Sequence, residues 1–124
     1  MHNSSPITFI AWDRANLAAV RDSLAGLQRD GIFLRRGRLL LETSWLGSGA
    51  RDFYATAWHW RAQDCPLFYN LARRGKLLIT ISDTVISCGS KDDIADARAG
   101  IAQEIIAVQS PQQLCALLAD AAEN

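Results

Sequence analysis

Three groups of residues in this chain have types and spacings that suit chemistry. The first is basic: Arg35, Arg36 and Arg38 surround Gly37, and Arg73, Arg74 and Lys76 surround Gly75. Guanidinium forks match phosphate oxygens, so such turns would hold a phosphate ligand or give salt-dependent binding of nucleic acid. Trp45, Tyr54, Trp58 and Trp60 would add surfaces on which unpaired bases stack. The structural alternative is plainer. The first set reads as a solvated hairpin tip, and the second as the last turn of a helix, where cations complement the dipole. Nucleic-acid domains usually carry a basic excess, whereas 13 basic and 13 acidic residues balance here.

The second group is aromatic. Residues 53–61 alternate, with Phe53, Ala55, Ala57 and His59 on one side and Tyr54, Thr56, Trp58 and Trp60 on the other. The pattern predicts a strand on which Trp58 and Trp60 point the same way, with Trp12 and Trp45 able to approach them. Such a strip is core, an interface or the wall of a ligand pocket; tryptophan is enriched where surface is buried against a partner.

The third group is Cys65 with His59. A cysteine in the first turn of a helix can be held as thiolate by the amide dipoles, with a histidine as base and Asp64 to orient it. No family signature surrounds either residue, and free cysteine is among the most buried residue types. Packing is therefore the simpler role for Cys65, and for Cys88.

Other motifs are absent. Gly47-Ser-Gly49 lacks the third glycine of a dinucleotide fingerprint, and there is no Gly-Lys-Ser/Thr phosphate loop. Asp92, Asp93 and Asp96 fall in the first turns of a helix, where the dipole explains them without a metal. Three cysteines (65, 88 and 115) without close pairs argue against a disulfide framework or a zinc ribbon. No cofactor is expected.

The elements that must position these groups are legible in outline. Residues 7–11 read as a strand. Asp13 then caps a helix running to about Arg29, with Leu17, Val20, Leu24 and Leu27 on one face and Gly31 as its stop. Residues 32–35 and 38–45 form a hairpin about Arg36-Gly37, and residues 46–52 a loop. After the aromatic strand, a helix runs from Asp64 through Pro66 to Arg74 and closes at Gly75. Residues 76–81 and 84–88 form a second hairpin about Ser82-Asp83. Ser90 to Asp93 is a capping box before a helix bearing Ile94, Ala97, Ile101 and Ile105. Ser110-Pro-Gln-Gln113 repeats that grammar before Leu114, Leu117, Leu118 and Ala121. The order β-α-β-β-β-α-β-β-α-α predicts an α+β domain: a twisted, mainly antiparallel sheet of about five or six strands with helices packed on one face. That order is similar, in topology alone, to small bacterial secretion chaperones, a likeness of fold that does not by itself imply function. Those proteins tend to be acidic, and this chain is neutral.

Length and composition agree with one globular domain spanning 1–124. Its apolar runs are short, and the start Met-His-Asn-Ser-Ser-Pro lacks the apolar stretch of a secretory signal. A cytoplasmic protein that does not bind membrane is expected, and the bias to 11 Arg, 2 Lys and 19 Ala suggests a GC-rich bacterial gene. The segment 33–44 echoes 71–82, Arg-Arg-Gly-basic included, although the flanks do not align. Charge is uneven along the chain. Residues 29–76 hold nine basic and four acidic groups, a net +5, and residues 77–124 two basic and seven acidic, a net −5. The two blocks either make a bipolar surface or interleave and cancel. The leading expectation is a non-catalytic interaction module that binds a protein partner and forms a homodimer. Nucleic-acid or phosphate binding through the arginine turns is the alternative, and a cysteine-dependent enzyme the second.

Overall fold

A computed structural model describes residues 5–11, 14–43, 53–100 and 104–123. Its frame is an eight-stranded sheet made of β1 (Ile7–Ala11), β2 (Gln28–Asp30), β3 (Phe33–Arg36), β4 (Leu39–Thr43), β5 (Tyr54–Trp58), β6 (Leu77–Ile81), β7 (Thr84–Ser87) and β8 (Ile105–Ala107). Across the sheet the order is β2-β3-β4-β5-β1-β6-β7-β8. Every pairing is antiparallel except β7 with β8. The α+β class stands, with two more strands than the pattern predicts.

Both additional strands are sheet edges. The first helix, α1 (Leu17–Leu24), stops well before Arg29, because Gln28–Asp30 turns back at Gly31 to pair with β3. Gly31 has φ +65°, a left-handed turn conformation that glycine adopts at no steric cost. Asp13 lies outside the described residues. The side chain that caps α1 is Asn16, whose Oδ1 accepts from the Ala19 amide at 3.2 Å. The other edge, β8, takes Ile105 out of the helix expected to carry it. α3 (Lys91–Gly100) has ended by then, and Val85 pairs in parallel register with Ile105.

The remaining helices are α2 (Cys65–Gly75), entered through a 3-10 turn at Ala62–Asp64, and α4 (Pro111–Glu123). Gly75 does not end α2 by a left-handed turn of its own; Lys76 does, at φ +58°. Gly75 is instead a contact point. A Cβ there would stand 2.8 Å from Val20 Cγ2 of α1, and the adjacent Gly75 carbonyl accepts from the Asn16 amide at 2.9 Å. The two capping signatures form as expected. Ser90 Oγ accepts from the Asp93 amide and Asp93 Oδ2 from the Ser90 amide, both at 3.2 Å, and Ser110 Oγ accepts from the Gln113 amide at 3.2 Å.

Three helices cover one face of the sheet and the fourth covers part of the other. Ile7, Phe9, Leu39, Leu41, Ala55, Ala57, Ile79 and Ile86 point into the main core beneath α1, α2 and α4. Phe9 meets Phe68 of α2 with ring centroids 5.4 Å apart. On the opposite face Ala97 of α3 closes a small second core with Leu78, Val85 and Ile105, flanked by Ile10. The helices are thus not all on one face. α3 crosses behind the sheet because it joins two parallel neighbours, β7 and β8, and such a connection must leave the plane of the sheet. The echoed segments also part company, since 33–44 contains a hairpin and 71–82 a helix end and a strand. Among the described residues no helix is long and apolar enough to cross a membrane.

Candidate interaction face

The face that α3 leaves open spans β3, β4, β5 and β1. The register sets its rows. Arg35, Leu40 and Trp58 lie side by side across β3, β4 and β5. The next row is Phe33, Glu42, Thr56 and Thr8, and beyond it Tyr54 neighbours Ile10. Side chains alternate between faces along a strand, so Leu39, Leu41, Ala55 and Ala57 are buried while Tyr54 is 49% and Trp58 38% exposed. The Trp58 indole is oriented by Glu42, with Nε1 donating to Oε1 at 3.3 Å.

Trp60 does not share this face. His59 adopts φ +58°, which breaks the alternation, and Trp60 turns into the main core. Its Nε1 donates to the Ser5 carbonyl at 2.8 Å. A left-handed residue at the end of a strand cannot be read from alternation, so pattern alone put Trp58 and Trp60 together. Trp12 and Trp45 lie outside the described residues, as does the expected loop at 46–52.

The arginine turns are separated, and Arg36, Arg73 and Arg74 are engaged within the chain. Arg36 reaches the helix-covered side, where Nη2 meets Asp64 Oδ1 at 3.2 Å. Asp64 is buried, and its Oδ2 also accepts from the Arg61 amide at 2.9 Å. Arg73 donates to the Cys88 carbonyl at 3.1 Å, and Arg74 pairs with Asp22 at 3.0 Å. Arg36 sits at the start of α2 and Arg73 and Arg74 at its end, about 15 Å apart at 1.5 Å per residue. Arg35 and Arg38 are exposed, but only Arg35 stands on the open face. Lys76 lines a cleft of about 670 Å³ with Arg14, Asn16, Asp93 and Asp96. Two cations there face two carboxylates, one of them already capping α3. These residues are distant in sequence, and no local pattern signals the cleft.

Charge polarity survives folding across the sheet. The basic block supplies β2 to β5, the acidic block supplies β6 to β8 with α3 and α4, and β1 runs between them. The blocks do not interleave because each folds into consecutive strands. Basic α2 is the exception, since it packs between α1 and α4.

Cys65 and His59 are not assembled as a nucleophile and base. Cys65 is buried, and the groups acting on its thiol are Cys115 and Asp64, with no part played by His59. Burial first, then the Cys115 contact, pushes the Cys65 thiol up to about 12, away from thiolate. Burial likewise holds the Cys88 thiol at about 12, against the opposing pull of Arg73. Among the described residues no three His, Cys, Asp or Glu side chains are grouped to hold a metal. Comparison of the chain with protein-family models, curated proteins and solved structures finds no match. The two edge strands also depart from the element order on which the likeness to secretion chaperones rests.

Proposed function

We propose that the chain is a small, non-catalytic cytoplasmic interaction module, and that it binds a protein partner and self-associates through the open face of β3, β4, β5 and β1. The observation that carries this reading is the exposure of Trp58 and Tyr54 beside half-buried Phe33 and Leu40. Aromatic area of this kind is typical of interface anchors. The face is near neutral at its centre, with Arg35 and Glu42 one row apart. One charge of each sign beside an apolar centre suits a two-fold pairing, in which Arg35 of one copy meets Glu42 of the other. A second copy is therefore the protein partner we favour.

Sedimentation velocity over a concentration series tests this. The wild-type chain should dimerise, and Trp58→Ala should weaken the dimer at least about tenfold. Arg35→Glu and Glu42→Arg should each weaken it, and together restore it. A strict monomer, or a dimer indifferent to Trp58, overturns the face as a self-association site.

Exposed Arg35 and Arg38 favour phosphate or nucleic-acid binding as the second reading. The carboxylate of Glu42 beside Trp58 counts against base stacking on this face, because it repels phosphate. Oligonucleotide binding that falls steeply with salt and is lost in an Arg35→Ser/Arg38→Ser variant would promote this reading; no binding at low salt removes it.

A further inference from the structure

Cys65 opens α2, and Cys115 lies one turn into α4. Packing of α2 against α4 brings Cys115 to the start of α2, where it is one of the groups acting on the Cys65 thiol. Cys115 Sγ also approaches the Ala62 carbonyl at 3.9 Å, within the 3-10 turn that leads into Cys65. Both sulfurs are thus set by helices packed on one core. They differ in access: Cys65 is 1% exposed, whereas Cys115 is only partly buried. That division sets an order for thiol–disulfide exchange, the accessible thiol attacking first and the sheltered one resolving the mixed disulfide. Cys88 is a built-in control, buried at the end of β7 with Arg73 rather than a thiol acting on it.

We propose that Cys65 and Cys115 form a redox-active dithiol that a small-molecule disulfide closes into an intramolecular bond, stapling the start of α2 to α4. With glutathione disulfide as oxidant, the Cys115 thiolate attacks one oxidant sulfur. The oxidant S–S bond breaks, and one glutathione thiolate leaves and takes a proton from water. Cys65 then gives its proton to solvent and attacks Cys115 Sγ. The bond between Cys115 and glutathione breaks, and the second glutathione departs. Two protein thiols lose two electrons and two protons, and one glutathione disulfide becomes two glutathiones. Burial disfavours the Cys65 thiolate, so the second step speeds up about tenfold per pH unit near neutrality. The staple closes the long loop through β6, β7, α3 and β8, which restricts the unfolded chain.

The test treats the full chain with glutathione disulfide, followed by alkylation, intact mass and peptide mapping. The expected product is monomeric within the bond, lighter by two hydrogens, and yields a linked peptide joining Cys65 to Cys115. Its melting temperature rises by about 5 °C or more, and dithiothreitol reverses the shift. Cys88→Ala should close as the wild type does, whereas Cys115→Ser should leave Cys65 reduced. A chain that stops with one glutathione on Cys115, that cross-links two copies through Cys115, or that keeps both thiols open to alkylation after unfolding overturns the proposal.

Discussion

Leu40 and Leu41 are neighbours on β4 with identical side chains, yet Leu41 is wholly buried and Leu40 only partly. The pleat sends Leu41 beneath α1, α2 and α4, and Leu40 to the part of the opposite face that α3 leaves open. The same contrast runs through β5, where Ala55 and Ala57 lie in the core and Tyr54 and Trp58 face outward. On β4 and β5 the covered face carries small and aliphatic residues that let the helices approach closely. The open face carries large aromatics, two threonines, Arg35 and Glu42. A sheet with two apolar faces and helices enough for about one and a half of them leaves a surface suited to a partner.

Substitutions separate the faces, and the covered side should show the largest effects. Phe9→Ala, which empties the space against Phe68, should cost about 3–5 kcal/mol in urea unfolding. Leu41→Ala should cost about 2–5 kcal/mol, and Leu40→Ala about 1 kcal/mol or less. Equal losses at the two leucines would mean that the open face is buried as well. Asp64→Ala leaves the Arg61 amide and the Arg36 guanidinium without their acceptor and should cost about 2 kcal/mol, with the half-exposed Arg36 contributing the smaller share.

The buried thiols give a pH signature. Cys88 titrates near its usual 9.0 when unfolded and at about 12 when folded. The unfolded chain therefore holds fewer protons between those values, and stability falls as pH rises through that window. Below about pH 9 the contribution is complete, and Cys88→Ala should flatten the alkaline slope by up to about 1.4 kcal/mol per pH unit. Gly75→Ala should lose about 1 kcal/mol, because the added methyl meets stiff, fully buried Val20 and the clash outweighs alanine's better helix propensity. The smallest change in stability belongs to Trp58→Ala, under about 1 kcal/mol, read from the same unfolding curves. If Trp58→Ala were instead as costly as Phe9→Ala, Trp58 would be core.

Much of the fold was legible because its signals are local. Ser90 and Ser110 announce two helices through bonds that span three residues, and Gly37 marks a hairpin whose strands carry their own patterns. The missed strands had no such signal. Gln28–Asp30 is wholly exposed and has no alternation to read, and Ile105–Ala107 follows a helix whose apolar spacing it happens to continue. The candidate site was half legible: Trp58 stood out, whereas Trp60 was drawn to the same side because one left-handed residue, His59, is invisible to a period-two pattern. The arginines were legible as residues but not as partners, since Asp64, Asp22 and the Cys88 carbonyl reach them only across the fold.

By itself, the sequence determined the hairpins about Gly37 and Asp83, the helix starts at Ser90 and Ser110 and the division of charge into two blocks, all set by backbone preference and near neighbours. Tertiary structure alone decided which face of the sheet lies open, which arginines are engaged, and that Cys115 comes to the turn leading into Cys65. Each of these depends on long-range packing, and a period of two says that a strand has two faces without saying which of them a helix will cover.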